Sequence, residues 1–190
     1  MANDYWIAAK VALLGDPAVG KTSLFNRYTK DFFSRDYRVT IGAQFAVESE
    51  NTKHGIVKLQ VWDLASGHRF QTVLPTYLRG SKAVVLVYDL TRKSTLFNIP
   101  RYVEMVKSAC ESPILYLVGN KLDLVVHDEQ VRRTVYREDI EAATEYISEL
   151  QRKFKLDSVL SYMSAKTGEG VKDLFKELAE GLARTYSEGS

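Results

Sequence analysis

The stretch GDPAVGKT (15–22) constrains this chain more than any other. It fits the pattern G-x-x-x-x-G-K-[ST]. It lies between an apolar run, WIAAKVALL (6–14), and a helix-period stretch from Lys21 to about Asp31. A strand, a glycine-rich turn and a helix in that order form a cradle for phosphate. Glycines let successive backbone N–H groups wrap an anion, and the helix N-terminus adds a favourable dipole. The cradle is assigned to Asp16, Pro17, Ala18, Val19 and Gly20, with Lys21, Thr22 and Ser23 opening the helix. Lys21 would set its ammonium against the terminal phosphates. The Thr22 hydroxyl suits Mg²⁺, a hard ion that prefers oxygen. Pro17 and Ala18 narrow the freedom of the loop. The competing reading is a chance turn before a capped helix, which the flanking strand and helix argue against.

The rest of the chain alternates in the same way. FAVESE (45–50) and GIVKLQVWD (55–63) nearly alternate in polarity, with His54-Gly55 as the turn between them. KAVVLVYDL (82–90) and PILYLVGN (113–120) are almost continuously apolar, as strands buried on both faces are. Residues 94–110, about 137–154 and about 170–186 carry helical spacing, and SVLSYM (158–163) reads as a last short strand. The expectation is a three-layer α/β fold with a six-stranded, mostly parallel sheet and helices on both faces. With 190 residues and no linker, 1–190 reads as one domain, and the polar end 185–190 reads as a frayed tail.

Composition excludes several classes. A net charge of +2 gives no bulk attraction to nucleic acid, and none is expected as a partner. The single cysteine, Cys110, cannot form an internal disulfide. The N-terminus has no basic segment ahead of an apolar one, and no apolar run approaches the roughly 20 residues that span a bilayer. A cytoplasmic protein is the expectation.

A second motif, NKLD (120–123), follows directly on a buried apolar run. Ligands of open α/β sheets collect beyond the carboxyl ends of strands. The Asp123 carboxylate can accept two N–H bonds from guanine, whereas adenine offers no donor at either place. A buried, unpaired carboxylate makes the mismatch costly. The Lys121 stem can pack on the base, and Asn120 can brace neighbouring loops. After the last strand, Ser164, Ala165 and Lys166 can offer backbone N–H to the guanine oxygen. NKLD alone means little. Behind a phosphate loop, in this order, it is specific.

Phosphate loop, WD (62–63), NKLD and SAK together resemble the small GTPases of the Ras superfamily, over about residues 5–180. Within them the chain looks most like the Rab family, by TIGAQF (40–45), KLQVWD (58–63) and RFQTVLPTYLRGSKAVVLVYDLT (69–91). The resemblance implies a P-loop NTPase fold and a switch that binds GTP or GDP with Mg²⁺. It implies that Lys21 contacts the β and γ phosphates, that Thr22 and Thr40 complete the metal shell, and that Asp63 holds the metal through water. Phe33 falls where the family stacks an aromatic on guanine, although a plain core phenylalanine is the alternative. Segments around Thr40 and after Asp63 would order around the γ-phosphate and relax on its loss. Phe45, Trp62 and Tyr77 beside them would then meet effectors, exchange factors and activating proteins. For Trp62, core packing competes with that role.

The chain also departs from the family. TIGAQF carries Ala43-Gln44 where Rab proteins have Val-Asp. The switch II string Asp-Thr-Ala-Gly-Gln-Glu reads Asp63-Leu64-Ala65-Ser66-Gly67-His68 here. Ser66 replaces the glycine whose N–H meets the γ-phosphate, and its side chain hinders that approach. Gly67 replaces the glutamine that orients the attacking water, which implies slow hydrolysis. His68 is open to three readings: an exposed loop histidine, a water-orienting group in a register shifted by one, or a partner contact. Lys21, Thr40, Gly67 and His68 are thus the positions on which catalysis turns. The stretch from Asp123 to Ser164 is longer than in Rab proteins and reads as a lengthened helix with its preceding loop. The end, EGS, lacks prenylation cysteines, so membrane association is expected only through a longer form or through partners. Two rival functions stand beside the switch. One is a nucleotide-locked binding module without turnover. The other is a metabolite kinase, which the NKLD and switch strings argue against.

Overall fold

A computed structural model of the chain describes residues 6–36, 40–67, 70–126, 145–146, 148–150, 152–153 and 160–188. Six strands form one sheet: β1 (Trp6–Leu14), β2 (Ala43–Thr52), β3 (Gly55–Leu64), β4 (Ser81–Asp89), β5 (Ile114–Asn120) and β6 (Leu160–Tyr162). Their order is β2-β3-β1-β4-β5-β6. Only β2 runs antiparallel to its neighbour, paired with β3 through the turn at Lys53-His54. The other pairings are parallel. β2 alternates between half-buried and exposed residues, as an edge strand with one wet face does.

The described helices are α1 (Lys21–Lys30), α2 (Leu74–Leu78), α3 (Lys93–Phe97), α4 (Ile99–Ala109), α5 (Leu122–Val126) and α6 (Val171–Glu188). Helix α6 buries Val171, Leu174, Phe175, Leu178, Ala179, Leu182 and Ala183, an apolar stripe at helical spacing. That stripe and Leu24 and Phe25 of α1 cover one face of the sheet, over Val11, Leu13, Leu59 and Val85. The opposite face packs Leu14, Val84 and Leu86 against Leu74 and Leu78 of α2 and against Ile99, Tyr102, Val103 and Val106 of α4. Each such large side chain contributes roughly 1.5–3 kcal/mol by leaving water. Strands β1 and β4 are covered on both sides, which explains their unbroken apolar runs.

Two expectations need correction. The stretch 94–110 is two helices, broken at Asn98. Pro100 lies in the first turn of α4, and inside one continuous helix it would clash with the Leu96 carbonyl and lack a donor. The tail expected to fray from 185 is helical through Glu188. There the Thr185 and Ser187 hydroxyls donate back to the carbonyls of Gly181 and Ala183. Most of the expected long helix at about 137–154 lies outside the described residues. Its described part is helical and places Leu150 in the core, with the Tyr146 ring edge-on to Phe97 at 5.2 Å. Among the described residues no helix is long and apolar enough to cross a membrane.

Candidate nucleotide site

The parallel strands bring their carboxyl ends to one edge of the sheet. Leu13 of β1 pairs with Asp63, Leu14 with Leu86, Asp89 with Asn120, and Gly119 with Tyr162. The phosphate loop leaves β1 there, NKLD leaves β5 and SAK leaves β6. β1 is also where the chain's path divides between β3 and β4, the place where such sheets bind ligands. A cavity of about 560 Å³ opens at this edge. Pro17, Ala18, Gly20, Lys21, Thr22 and Ser23 line it, together with Phe33, Thr40, Gly67, Asn120, Lys121, Asp123, Ala165 and Lys166. Its size suits a small-molecule ligand such as a nucleotide.

Four expected site residues stand behind this wall. Val19, Asp63 and Ser164 are fully buried. Asp16 turns its carboxylate away, accepting from Tyr102 Oη at 2.8 Å and from Asn98 Nδ2 at 2.7 Å. Those bonds tie the phosphate loop to the break between α3 and α4. Ala18 and Gly20 both have positive φ, 63° and 99°. A Cβ at Gly20 would overlap the Asn120 amide, so glycine is required where the two loops meet.

Lys21 is 6% exposed, and its ammonium donates to Gly15 O at 3.0 Å, Asp16 O at 2.8 Å and Ser66 Oγ at 2.7 Å. Burial lowers its pKa to about 8, against the upward pull of Asp63 and Asp16. Beside it, Thr22 Oγ1 donates to Asp63 Oδ2 at 2.7 Å and lies 2.7 Å from Thr40 Oγ1. The other Asp63 oxygen, Oδ1, is buried with no hydrogen-bond partner. Two hydroxyls and an unsatisfied carboxylate oxygen form the hard-oxygen donor set that Mg²⁺ takes. Thr22, Thr40 and Asp63 therefore fit a magnesium ion that also draws on phosphate oxygens.

At the other loops, Asn120 Nδ2 donates to Val19 O at 2.9 Å and Asn120 Oδ1 accepts from Ala165 N at 3.0 Å. One buried amide thus joins the phosphate loop to SAK. The Asp123 carboxylate accepts from Ser164 Oγ at 2.6 Å and from Lys166 Nζ at 3.1 Å. Burial pushes its pKa up, but these bonds outweigh burial and leave it below the ordinary value. The Lys166 side chain on Asp123 is nearly half exposed. Lys121, expected to stack on a base, directs its ammonium to Asp89 Oδ2 at 2.7 Å. Phe33 is half-buried on the cavity wall and not in the core, while Phe32 beside it is exposed.

The chain matches the Ras family over residues 10–184. It belongs to that family. Its Ras-family relatives include the Ras-related protein RABA1g of Arabidopsis thaliana, 34% identical over 98% of this chain and 80% of the relative. The GTP-binding protein ypt5 of Schizosaccharomyces pombe is 40% identical over 95% of this chain and 80% of its own length. The Ras-related protein RABA4a of Arabidopsis thaliana is 43% identical, and there the match spans about half of the relative, 52%. The likeness is therefore to Rab and Ypt proteins, as the strings at 40–45 and 69–91 imply. Ras-family proteins bind guanine nucleotides, generally with Mg²⁺, and generally act through effector, exchange and activating proteins.

Several supporting residues of this Ras-family site were not foreseen. Arg27 donates to Ala165 O at 3.0 Å and to Lys166 O at 2.7 Å, holding SAK against α1. Asp89, at the end of β4, gathers Lys121, Arg92 and Thr91, and Arg92 reaches on to Pro17 O at 3.0 Å. The one sequence signal for Asp89 was an acid closing an apolar run. Phe45 stacks on Trp62 at 4.9 Å, with Tyr77 6.4 Å away and Lys10 Nζ 4.4 Å above the Trp62 ring. Phe45 is 58% exposed, whereas Trp62 is half-buried and packs against the core. His68 lies outside the described residues.

Proposed function

We propose that this chain is a Rab-type guanine-nucleotide switch with slow intrinsic hydrolysis. One cavity, lined at once by Lys21 and Thr22 and by Asp123 and Lys166, carries the reading. Lys21 binds the β and γ phosphates, and Thr22, Thr40 and Asp63 hold Mg²⁺, which offsets phosphate charge when bound. Asp123 selects guanine once Lys166 swings aside. The backbone N–H of Lys166 meets the base oxygen beside Ala165, whose own N–H is held by Asn120, and Phe33 flanks the base. Thr40 and the segment after Asp63 then report the γ-phosphate to effectors, exchange factors and activating proteins at Phe45, Trp62 and Tyr77. Vesicle traffic and a cytoplasmic location peripheral to membranes accord with the Rab and Ypt relatives.

Gly67 lines the cavity but has no side chain to orient water, so the intrinsic chemical step is slow. Among the described residues a Cβ there meets only the Phe70 ring, at an ordinary contact distance of 3.9 Å, so a side chain can begin there without a clash. Single-turnover hydrolysis of GTP-loaded protein tests the reading beside Gly67→Gln and His68→Ala. Slow native turnover, accelerated by Gly67→Gln, is expected. A family-like native rate that His68→Ala abolishes would move the water-orienting role to His68. Displacement of bound GDP by ATP as readily as by GTP would remove the guanine assignment.

A further inference from the structure

An ammonium has three N–H donors. At Lys21 all three are committed within the protein, to Gly15 O, Asp16 O and, at the shortest distance of 2.7 Å, Ser66 Oγ. Lys21 and Ser66 are both buried, so water does not replace a lost bond cheaply. The position of Ser66 is fixed by its neighbours. Ala65 N donates to Gly42 O at 3.0 Å, and the Leu64 and Ala65 side chains are buried. The phosphate loop is equally anchored, by the Asp16 bonds to Tyr102 and Asn98. Thus the Ser66 hydroxyl holds a donor of Lys21 that a phosphate oxygen would otherwise claim. Glycine, the residue of the family string, has no atom to put there.

We propose that the Ser66 hydroxyl is an internal competitor for the γ-phosphate, biasing the protein toward diphosphate over triphosphate. The proposal rests on the guanine-nucleotide reading above. A diphosphate claims one donor of Lys21, which one loop carbonyl can cede while the Ser66 bond persists. A triphosphate, with two phosphates in reach, claims a second donor and leaves one, for which Ser66 Oγ competes with both loop carbonyls. Ser66 is thereby a specificity residue acting through Lys21. Where the triphosphate displaces it, the Ser66 hydroxyl turns away from Lys21, which gives an exchange factor or effector a step to act on.

Dissociation constants for fluorescent GDP and for a non-hydrolysable GTP analogue, both with Mg²⁺, test this in the native protein, Ser66→Ala, Ser66→Gly and Ser66→Thr. Ser66→Ala keeps the Cβ and removes only the hydroxyl. The expected result is a preference for GDP in the native protein. Ser66→Ala and Ser66→Gly should shift the ratio toward the triphosphate by about tenfold, the worth of one charged hydrogen bond. Ser66→Thr, which retains a hydroxyl, should behave as native. A ratio in Ser66→Ala within about twofold of native overturns the proposal, and a shift in Ser66→Gly alone would assign the effect to the Cβ. If neither nucleotide binds the native protein, the guanine-nucleotide reading itself falls. If both bind with native and Ser66→Ala ratios alike, only the Ser66 proposal falls.

Discussion

Gln44 stands directly opposite Asp63 across the antiparallel β2–β3 pair, and its side-chain amide donates to Asp63 Oδ2 at 3.0 Å. Gln44 and Ser66 are both places where the chain leaves the family strings. Each puts a hydrogen-bonding side chain on a buried charge of the site, Gln44 on Asp63 and Ser66 on Lys21. Gln44→Ala removes one of the two donors on Asp63 Oδ2 and leaves a fully buried carboxylate less satisfied. The expected loss is about 1–3 kcal/mol of unfolding free energy without nucleotide. It should be smaller with Mg²⁺ and GDP, because a cation offsets the same charge. Urea unfolding under both conditions measures it; an unchanged midpoint without nucleotide would show that the Gln44 bond contributes nothing.

Asn120 joins the phosphate loop to SAK through one side chain. Asn120→Ala leaves the Val19 carbonyl and the Ala165 N–H without these partners in a buried place. A stability loss of about 2–4 kcal/mol is expected, together with faster nucleotide release, because both loops loosen at once. Asn120→Asp keeps the acceptor for Ala165 N but presents an oxygen to the Val19 carbonyl, and should also release nucleotide faster. Off-rates of a fluorescent nucleotide decide the matter. Native off-rates in both variants would mean that the loops are held independently.

The order of elements and the strings that line the cavity were legible in the sequence because each is contiguous. Strand β1 falls at 6–14, and the phosphate loop, NKLD and SAK all meet at one sheet edge. What was illegible is the scaffold behind them. Arg27 reaches across 138 residues to Ala165, Arg92 across 75 to Pro17, and Tyr102 across 86 to Asp16. No periodicity encodes such a contact, which exists only after the sheet brings its strand ends together. Helix α2, five residues long, is too short to show a helical period. The competition of Ser66 for Lys21 spans 45 positions, and sequence alone exposed only the missing glycine.

Ala18 holds a left-handed backbone, φ 63°, which costs a residue with a Cβ about 1–2 kcal/mol. Ala18→Gly relieves that strain but frees the unfolded chain, an opposing effect of about 0.5–1 kcal/mol. The expected net result is a gain of roughly 0.5–1 kcal/mol in unfolding free energy. Thermal unfolding detects it, and a lowered midpoint would mean that the Ala18 methyl group contributes packing that outweighs the strain.

Asp89 gives the protein a predictable acid limb. Burial raises its pKa, but hydrogen bonds from Lys121, Thr91 and Arg92 together outweigh burial and set it below the ordinary carboxylate value. A depressed folded-state pKa means that the unfolded chain binds the proton more tightly. Its stabilising contribution is therefore complete above the unfolded carboxylate value of about 4, and is lost as pH falls from there through the folded value. Asp89→Asn removes this contribution at neutral pH, where the native protein should be clearly more stable. The two proteins should converge as pH drops below about 4, so the variant has the flatter acid limb. Urea midpoints followed from pH 7 down through that window check the sign. Parallel curves for native protein and variant would place the acid sensitivity elsewhere, with Asp123 next, since its pKa is lowered in the same direction.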